Sequence, residues 1–198
     1  FCPSRIRRRM IPAYAAHRLY EIVDRRGGRP RATQILFAPE DTGMPEALDR
    51  LFPLSGTANT YHYFNRAYQP AFTEETVVEY LAVFCISLSG GEGLFQVAES
   101  ENDIRWRASA SRQREAVAGI ARPLRLWQQD EEGNYFIDGL LAYAGALFHA
   151  YFRVRPTGFV DMLYEQPLFE KLEAAPEIFT PKTHFFLRVP KDFHTGAA

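Results

Sequence analysis

The stretch "ALFHAYFRVRPTGFVDMLYE", residues 146–165, constrains the fold more tightly than any other part of the chain. A three-residue hairpin loop favours a type I turn followed by one left-handed residue. Pro156 supplies the fixed φ of the first corner, and Gly158 supplies the left-handed position. This loop predicts a register that pairs Arg155 with Phe159, Val154 with Val160, Arg153 with Asp161, Phe152 with Met162 and His149 with Glu165. Ala150, Phe152, Val154, Val160, Met162 and Tyr164 then share one apolar face. The other face carries His149, Tyr151, Arg153, Asp161 and Glu165. Matched apolar pairs and opposite charges fall into place together, as cross-strand pairing requires.

A second turn is expected in "LSGGEGLFQV", residues 88–97. Its three glycines raise the question of a phosphate loop. A P-loop needs a following Lys and a helix; here Glu92 puts negative charge in the cradle, and the next residues read as strand. No third glycine at Gln96 completes a dinucleotide fingerprint. The segment is read as a hairpin turn, and no cofactor is expected.

The remaining elements follow from period and punctuation. Pro12 to Arg26 reads as a helix closed by Gly27-Gly28, with Ala16, Leu19, Tyr20 and Val23 at helical spacing. "TQILFAP" (33–39) reads as a strand and "PEALDRLFP" (45–53) as a short helix. "SGTANTYHYFNRAYQPAF" (55–72) has turn formers and rings without a clean period, which predicts an ordered loop. "TVVEYLAVFCISLS" (76–89) favours strand by its β-branched and aromatic content, with a helix beginning at Thr73 as the alternative. Strands at 94–99, 124–129 and 134–144, a helix at 109–121, a short helix in "PLFEKLEAA" and a strand in "THFFLRVP" complete the reading. The fold class is α+β: one domain, residues 1–198, with N-terminal helices on one face of a mostly antiparallel, curved sheet built as a meander of hairpins. Residues 1–31 form a basic arm and helix, and 191–198 a flexible tail.

Charge layout and composition narrow the function classes. Residues 1–31 hold nine arginines against Glu21 and Asp24, while the chain as a whole has a net charge of −1. The arm therefore suits the acidic remainder of its own chain, a second copy or an acidic partner, and nucleic acid is the less favoured target. Arginine greatly outnumbers lysine, a bias expected of a bacterial genome. Cys2 and Cys85 build no disulfide framework and no metal site, which fits a cytoplasmic setting. The arginines of "RIRRRM" are followed by no sustained apolar stretch of the kind a secretory leader needs. "GLLAYAGALF" is about half the length of a membrane span.

Three functional readings follow. The leading one is a non-enzymatic binding or interaction module for a protein partner, a homodimer mate or a small apolar ligand. Its ligand-binding candidates are Tyr61, His62, Tyr63 and Tyr151. The alternative is a small enzyme with an acid–base pocket between the sheet and the helices, in which Glu165 orients His149 beside Arg153 and Asp161. The third is nucleic-acid binding through Arg5, Arg7, Arg8 and Arg9. No HExxH, HxH or Cys/His cluster gives a metal site.

Overall fold

The structure, a computed structural model, describes residues 5–14, 17–24, 31–37, 51–54, 56–90 and 93–174. Near the N-terminus β1 (Arg5–Met10), β2 (Arg18–Asp24), β3 (Arg31–Phe37) and β4 (Leu51–Leu54) form an antiparallel sheet in chain order. The helix expected over 12–26 is therefore corrected to a single 3-10 turn, Pro12–Tyr14, followed by β2. "RLYEIVD" alternates as readily as it turns, and β2 gains ladder partners on both sides, β1 and β3. Arg5, Arg7, Arg8 and Arg9 lie on β1, with Arg7 opposite Glu21 in the register. The helix expected over 45–53 falls largely outside the described residues, and its last three positions belong to β4.

Two helices follow. Residues 55–72, expected as loop, contain α1 (Ala58–Ala67), whose buried positions Tyr61, Phe64 and Asn65 have helical spacing. The segment expected as strand from Thr76 is helix α2 (Glu74–Ser87), as the alternative reading had it. Thr73 caps it: its hydroxyl accepts from the Thr76 N–H at 3.2 Å, and its own N–H donates to the Thr76 hydroxyl at 2.7 Å. Val77, Tyr80, Leu81, Phe84 and Cys85 are all buried, a stripe only a helix can present. Burying side chains of this size stabilises by about 1.5–3 kcal/mol each. That outweighs the helix penalty of the β-branched residues, a few tenths of a kcal/mol per residue.

The glycine-rich stretch is a small hairpin, β5 (Ser89–Gly90) against β6 (Gly93–Leu94), with Ser89 opposite Leu94. The strand expected at 94–99 is limited to β6 and β7 (Gln96–Val97). The helix expected at 109–121 is α3 (Ser111–Ala118). The principal sheet adds β8 (Arg125–Gln129), β9 (Tyr135–Tyr143), β10 (Ala146–Val154) and β11 (Val160–Phe169), in the order β11-β10-β9, with β7 and β8 both on the far edge of β9. It is an open, antiparallel five-stranded sheet in an α+β fold. The short helix expected in "PLFEKLEAA" is corrected: β11 runs through Phe169, and Ala174 bridges to Trp106. "THFFLRVP" and the expected tail lie outside the described residues.

Side-chain alternation splits the principal sheet into two faces. Tyr135, Ile137, Leu141, Ala150, Phe152 and Val154 pack with α1, α2 and the 3-10 turn in the larger core. Leu140, Ala142 and Leu147 join Ala98, Ile104 and Val117 of α3 in a smaller core on the opposite face. This double burial explains why β9 is apolar along most of its length, with Asp138 as the exception. Gly139 sits where Leu124 crosses β9, and a Cβ there would overlap the Leu124 side chain. Among the described residues no helix is long and apolar enough to cross a membrane.

Candidate functional site

The β10–β11 turn is the predicted one: Gly158 has φ 78°, the Arg155 N–H donates to the Phe159 carbonyl at 2.8 Å, and the Gly158 N–H to the Arg155 carbonyl at 2.8 Å. The register holds from Val154–Val160 through Phe152–Met162 and then slips. Leu163 is an extra residue on β11, so Tyr151 faces Tyr164, Ala150 faces Glu165 and His149 faces Gln166. The expected His149–Glu165 pair is corrected by this bulge. Glu165 shares its register position with Ala150, whose side chain belongs to the helix-covered face.

The turn docks on the helices through a buried polar knot. The Asn65 amide donates to the Gly158 carbonyl and to the Tyr80 hydroxyl, each at 2.9 Å, and the Tyr80 hydroxyl donates to the same carbonyl at 2.6 Å. The Tyr14 hydroxyl donates to the Asn65 side-chain oxygen. Burial pushes the Tyr80 hydroxyl up to about 12 and the Tyr14 hydroxyl higher still, so both remain protonated donors. Any side chain at Gly158 would overlap the Asn65 amide and come within 2.9 Å of Pro70, besides facing a left-handed φ. One glycine thus fixes both the turn and its distance from α1.

A groove of about 830 Å³ opens between α1 and this turn. Asn59, His62, Tyr63 and Arg66 line it from α1 and Gln69 from just beyond the helix; Arg155, Thr157 and Phe159 line it from the turn. The His62 ring stacks on Phe159 at 4.0 Å, with the planes 20° apart, and runs nearly parallel to Phe84 at 6.2 Å. The Arg155 guanidinium lies over the Phe159 ring at 5.1 Å. Burial lowers the His62 pKa and Arg66 lowers it further, against an opposing pull from Asp161, so the ring is neutral at pH 7. Of the expected ligand contacts, His62 and Tyr63 meet here. Tyr61 is buried in the core against Phe84 and Tyr80, and Tyr151 lies on the other face of the sheet.

The charged candidates occupy that other face, so the acid–base pocket expected between the sheet and the helices is corrected: α1 and α2 cover the opposite side. Asp138 is only 1 % exposed. It accepts from Arg122 at 2.8 Å, from Arg125 at 3.1 Å and from His149 Nε2 at 2.7 Å. Burial works to raise its pKa, but the hydrogen bonds from Arg122, His149 and Arg125 outweigh that and hold the carboxyl below its ordinary value. The Tyr151 hydroxyl stands 3.4 Å from His149 Nδ1. The expected Arg153–Asp161 pair is present at 2.8 Å, and Arg155 joins the same carboxylate at 3.1 Å. Among the described residues no group of three or more His, Cys, Asp or Glu gathers that could hold a metal ion.

Sequence reading overlooked Asp138, Arg122, Arg125, Asn65, Arg66 and Phe159. The available signal for Asp138 was a lone carboxylate inside the apolar run "YFIDGLLAY". No protein family, no curated protein and no solved structure matches the chain.

Proposed function

We propose that the protein is a non-enzymatic binding module whose small ligand sits in the groove between α1 and the β10–β11 turn. The observation that carries this reading is the His62–Phe159 stack beside Arg66 and Arg155, in a concavity held by the Asn65 knot. Such a lining suits a planar ring bearing an acidic group: the ring extends the stack, and the guanidiniums take the charge. The ligand is thus planar and anionic rather than purely apolar. A protein partner is less well supported. β11 exposes Met162, Leu163, Tyr164 and Leu168, but the Leu163 bulge and Pro167 interrupt it as a template for strand addition. The arginine bias and the free, buried Cys85 support a bacterial, cytoplasmic setting.

Calorimetric titration with 4-hydroxybenzoate, indole-3-acetate and nicotinate tests the proposal. At least one acid is expected to bind with a Kd of about 1 mM or tighter. Phe159→Ala and Arg66→Gln are each expected to weaken it several-fold, and the matching neutral alcohol to bind worse than the acid. Absence of heat with all three acids, or binding indifferent to both substitutions, rules the groove out as the ligand seat.

An acid–base enzyme is the second reading, and the 2.7 Å Asp138–His149 bond favours it with Asp138 in place of Glu165. Against it, the Asp138 carboxylate already accepts from two guanidiniums and the His149 imidazole and has no free role as a base.

A further inference from the structure

We infer that the part of the principal sheet's face opposite α1 and α2 that α3 leaves uncovered is a second binding surface, built for single-stranded nucleic acid. Register places its side chains. One row across the sheet runs Arg125, Asp138, Tyr151 and Tyr164; the next carries Phe136 and Arg153, with Asp161 beyond. Trp127 stands at the β8 irregularity between Leu126 and Gln128, its ring 5.5 Å from Phe136, while Tyr151 and Tyr164 are 6.0 Å apart in the first row. Trp127 is 51 % exposed and Tyr164 58 %, although nothing in a folding core rewards leaving such rings in water. The two aromatic pairs occupy diagonal corners of a four-strand surface, with Arg153 and the Asp138 cluster between them.

The charge between the rings is cationic. Three guanidiniums, Arg122, Arg125 and Arg153, stand against two carboxylates, Asp138 and Asp161; Arg155, which lines the groove, reaches Asp161 from the turn. Each carboxylate fixes two arginines by one edge and leaves their remaining N–H donors for an outside anion. Both aspartates also keep the arginines oriented before any ligand arrives. Fixed guanidiniums interleaved with exposed rings are what an unpaired strand needs: phosphates take the donors and bases stack on the rings. A four-stranded antiparallel sheet with exposed aromatics accommodates two or three stacked bases. A duplex buries its bases and leaves these rings unused. At the β8–β9 turn Asp130, Glu131 and Glu132 close one end to a polyanion, which directs the strand across the sheet rather than off that end.

Fluorescence anisotropy of a labelled oligouridylate of about 12 nucleotides tests this. Binding is expected at roughly 50 mM salt and should fall steeply by roughly 200 mM. Trp127→Ala and Tyr164→Ala are each expected to cost about tenfold. Both residues are exposed, and thermal melts followed by circular dichroism check that the variants fold. A duplex of equal length should bind at least several-fold more weakly. No anisotropy change at low salt overturns the inference. So does retention that ignores both aromatic variants, or that disappears only when Arg5, Arg7, Arg8 and Arg9 are changed to Gln; the last result assigns binding to the β1 arm. The groove acids are expected to bind Trp127→Ala as they bind the wild type, which keeps this surface separable from the groove.

Discussion

Asn65→Ala is expected to destabilise the protein strongly for the loss of so small a side chain. The Asn65 amide makes two hydrogen bonds, to Tyr80 and Gly158, and its oxygen accepts a third from Tyr14. A buried hydrogen bond contributes about 0.5–1.5 kcal/mol net, and a buried donor left without a partner costs about 1–3 kcal/mol. After truncation the Gly158 carbonyl keeps the Tyr80 hydroxyl at 2.6 Å, but the Tyr14 hydroxyl loses its acceptor in a fully packed setting. One lost bond at Gly158, one at Tyr80 and one orphaned phenol amount to about 3 kcal/mol. For a domain of this size that corresponds to a fall in Tm of roughly 6–12 °C. Urea unfolding followed by circular dichroism reads the change as a shifted midpoint at constant slope. Tyr80→Phe loses its bond to Gly158 and the one it accepts from Asn65 but leaves Asn65 bonded to both Gly158 and Tyr14, so it should cost about 2 kcal/mol, less than Asn65→Ala. A loss below about 0.5 kcal/mol for Asn65→Ala, or equal losses for the two variants, refutes the view that Asn65 is the hub.

Two further outcomes follow from the charged and titrating groups. Asp138→Asn removes a buried carboxylate from two arginines and a histidine; because both arginines are half-exposed and can turn to water, the cost is expected near 2 kcal/mol rather than the 3–5 kcal/mol of a fully buried pair. The same urea assay measures it, and the difference from wild type should shrink as pH falls below the ordinary aspartate value of 3.8, where the folded carboxyl itself protonates. His17 is packed against Tyr14, Phe64 and Tyr68, and burial first, then Arg18, lowers its pKa below 6.5. The unfolded chain then binds protons that the folded chain refuses, so stability is flat above about pH 7 and declines as pH falls through 6.5. His17→Phe should flatten part of that decline; His62, lowered in the same direction, accounts for a further part.

Legibility in the sequence followed the range of the interaction. The β10–β11 turn was readable because Pro156 and Gly158 fix it within five residues. The Leu163 bulge was not, because it depends on how Phe152 and Ala150 seat against the helices. For α2, Tyr80, Phe84 and Leu88 satisfy both strand and helix periods, and only the burial of Val77, Leu81 and Cys85 separates them. Asn65 hid α1 by placing a polar residue on its core face; that residue is polar because it bonds a carbonyl 93 positions away. β2 carries apolar residues that fit a helix as well, and its strand pairing depends on partners on both sides. Half of the charged site was visible: Arg153–Asp161 is a directly opposed pair, whereas His149 reaches diagonally to Asp138 on β9, outside the β10–β11 hairpin.

The groove carries the proposed function, and amide chemical shifts test it residue by residue. Titration of the labelled protein with the acid that binds best in calorimetry is predicted to move the amides of 59–69 and 155–159 together, with one saturation curve. A separate recess of about 550 Å³ beside α3, lined by Trp106, Arg107 and Arg114, serves as the internal control and should stay still. Shifts confined to that recess, or to the sheet face around Asp138, contradict a ligand seat between α1 and the turn.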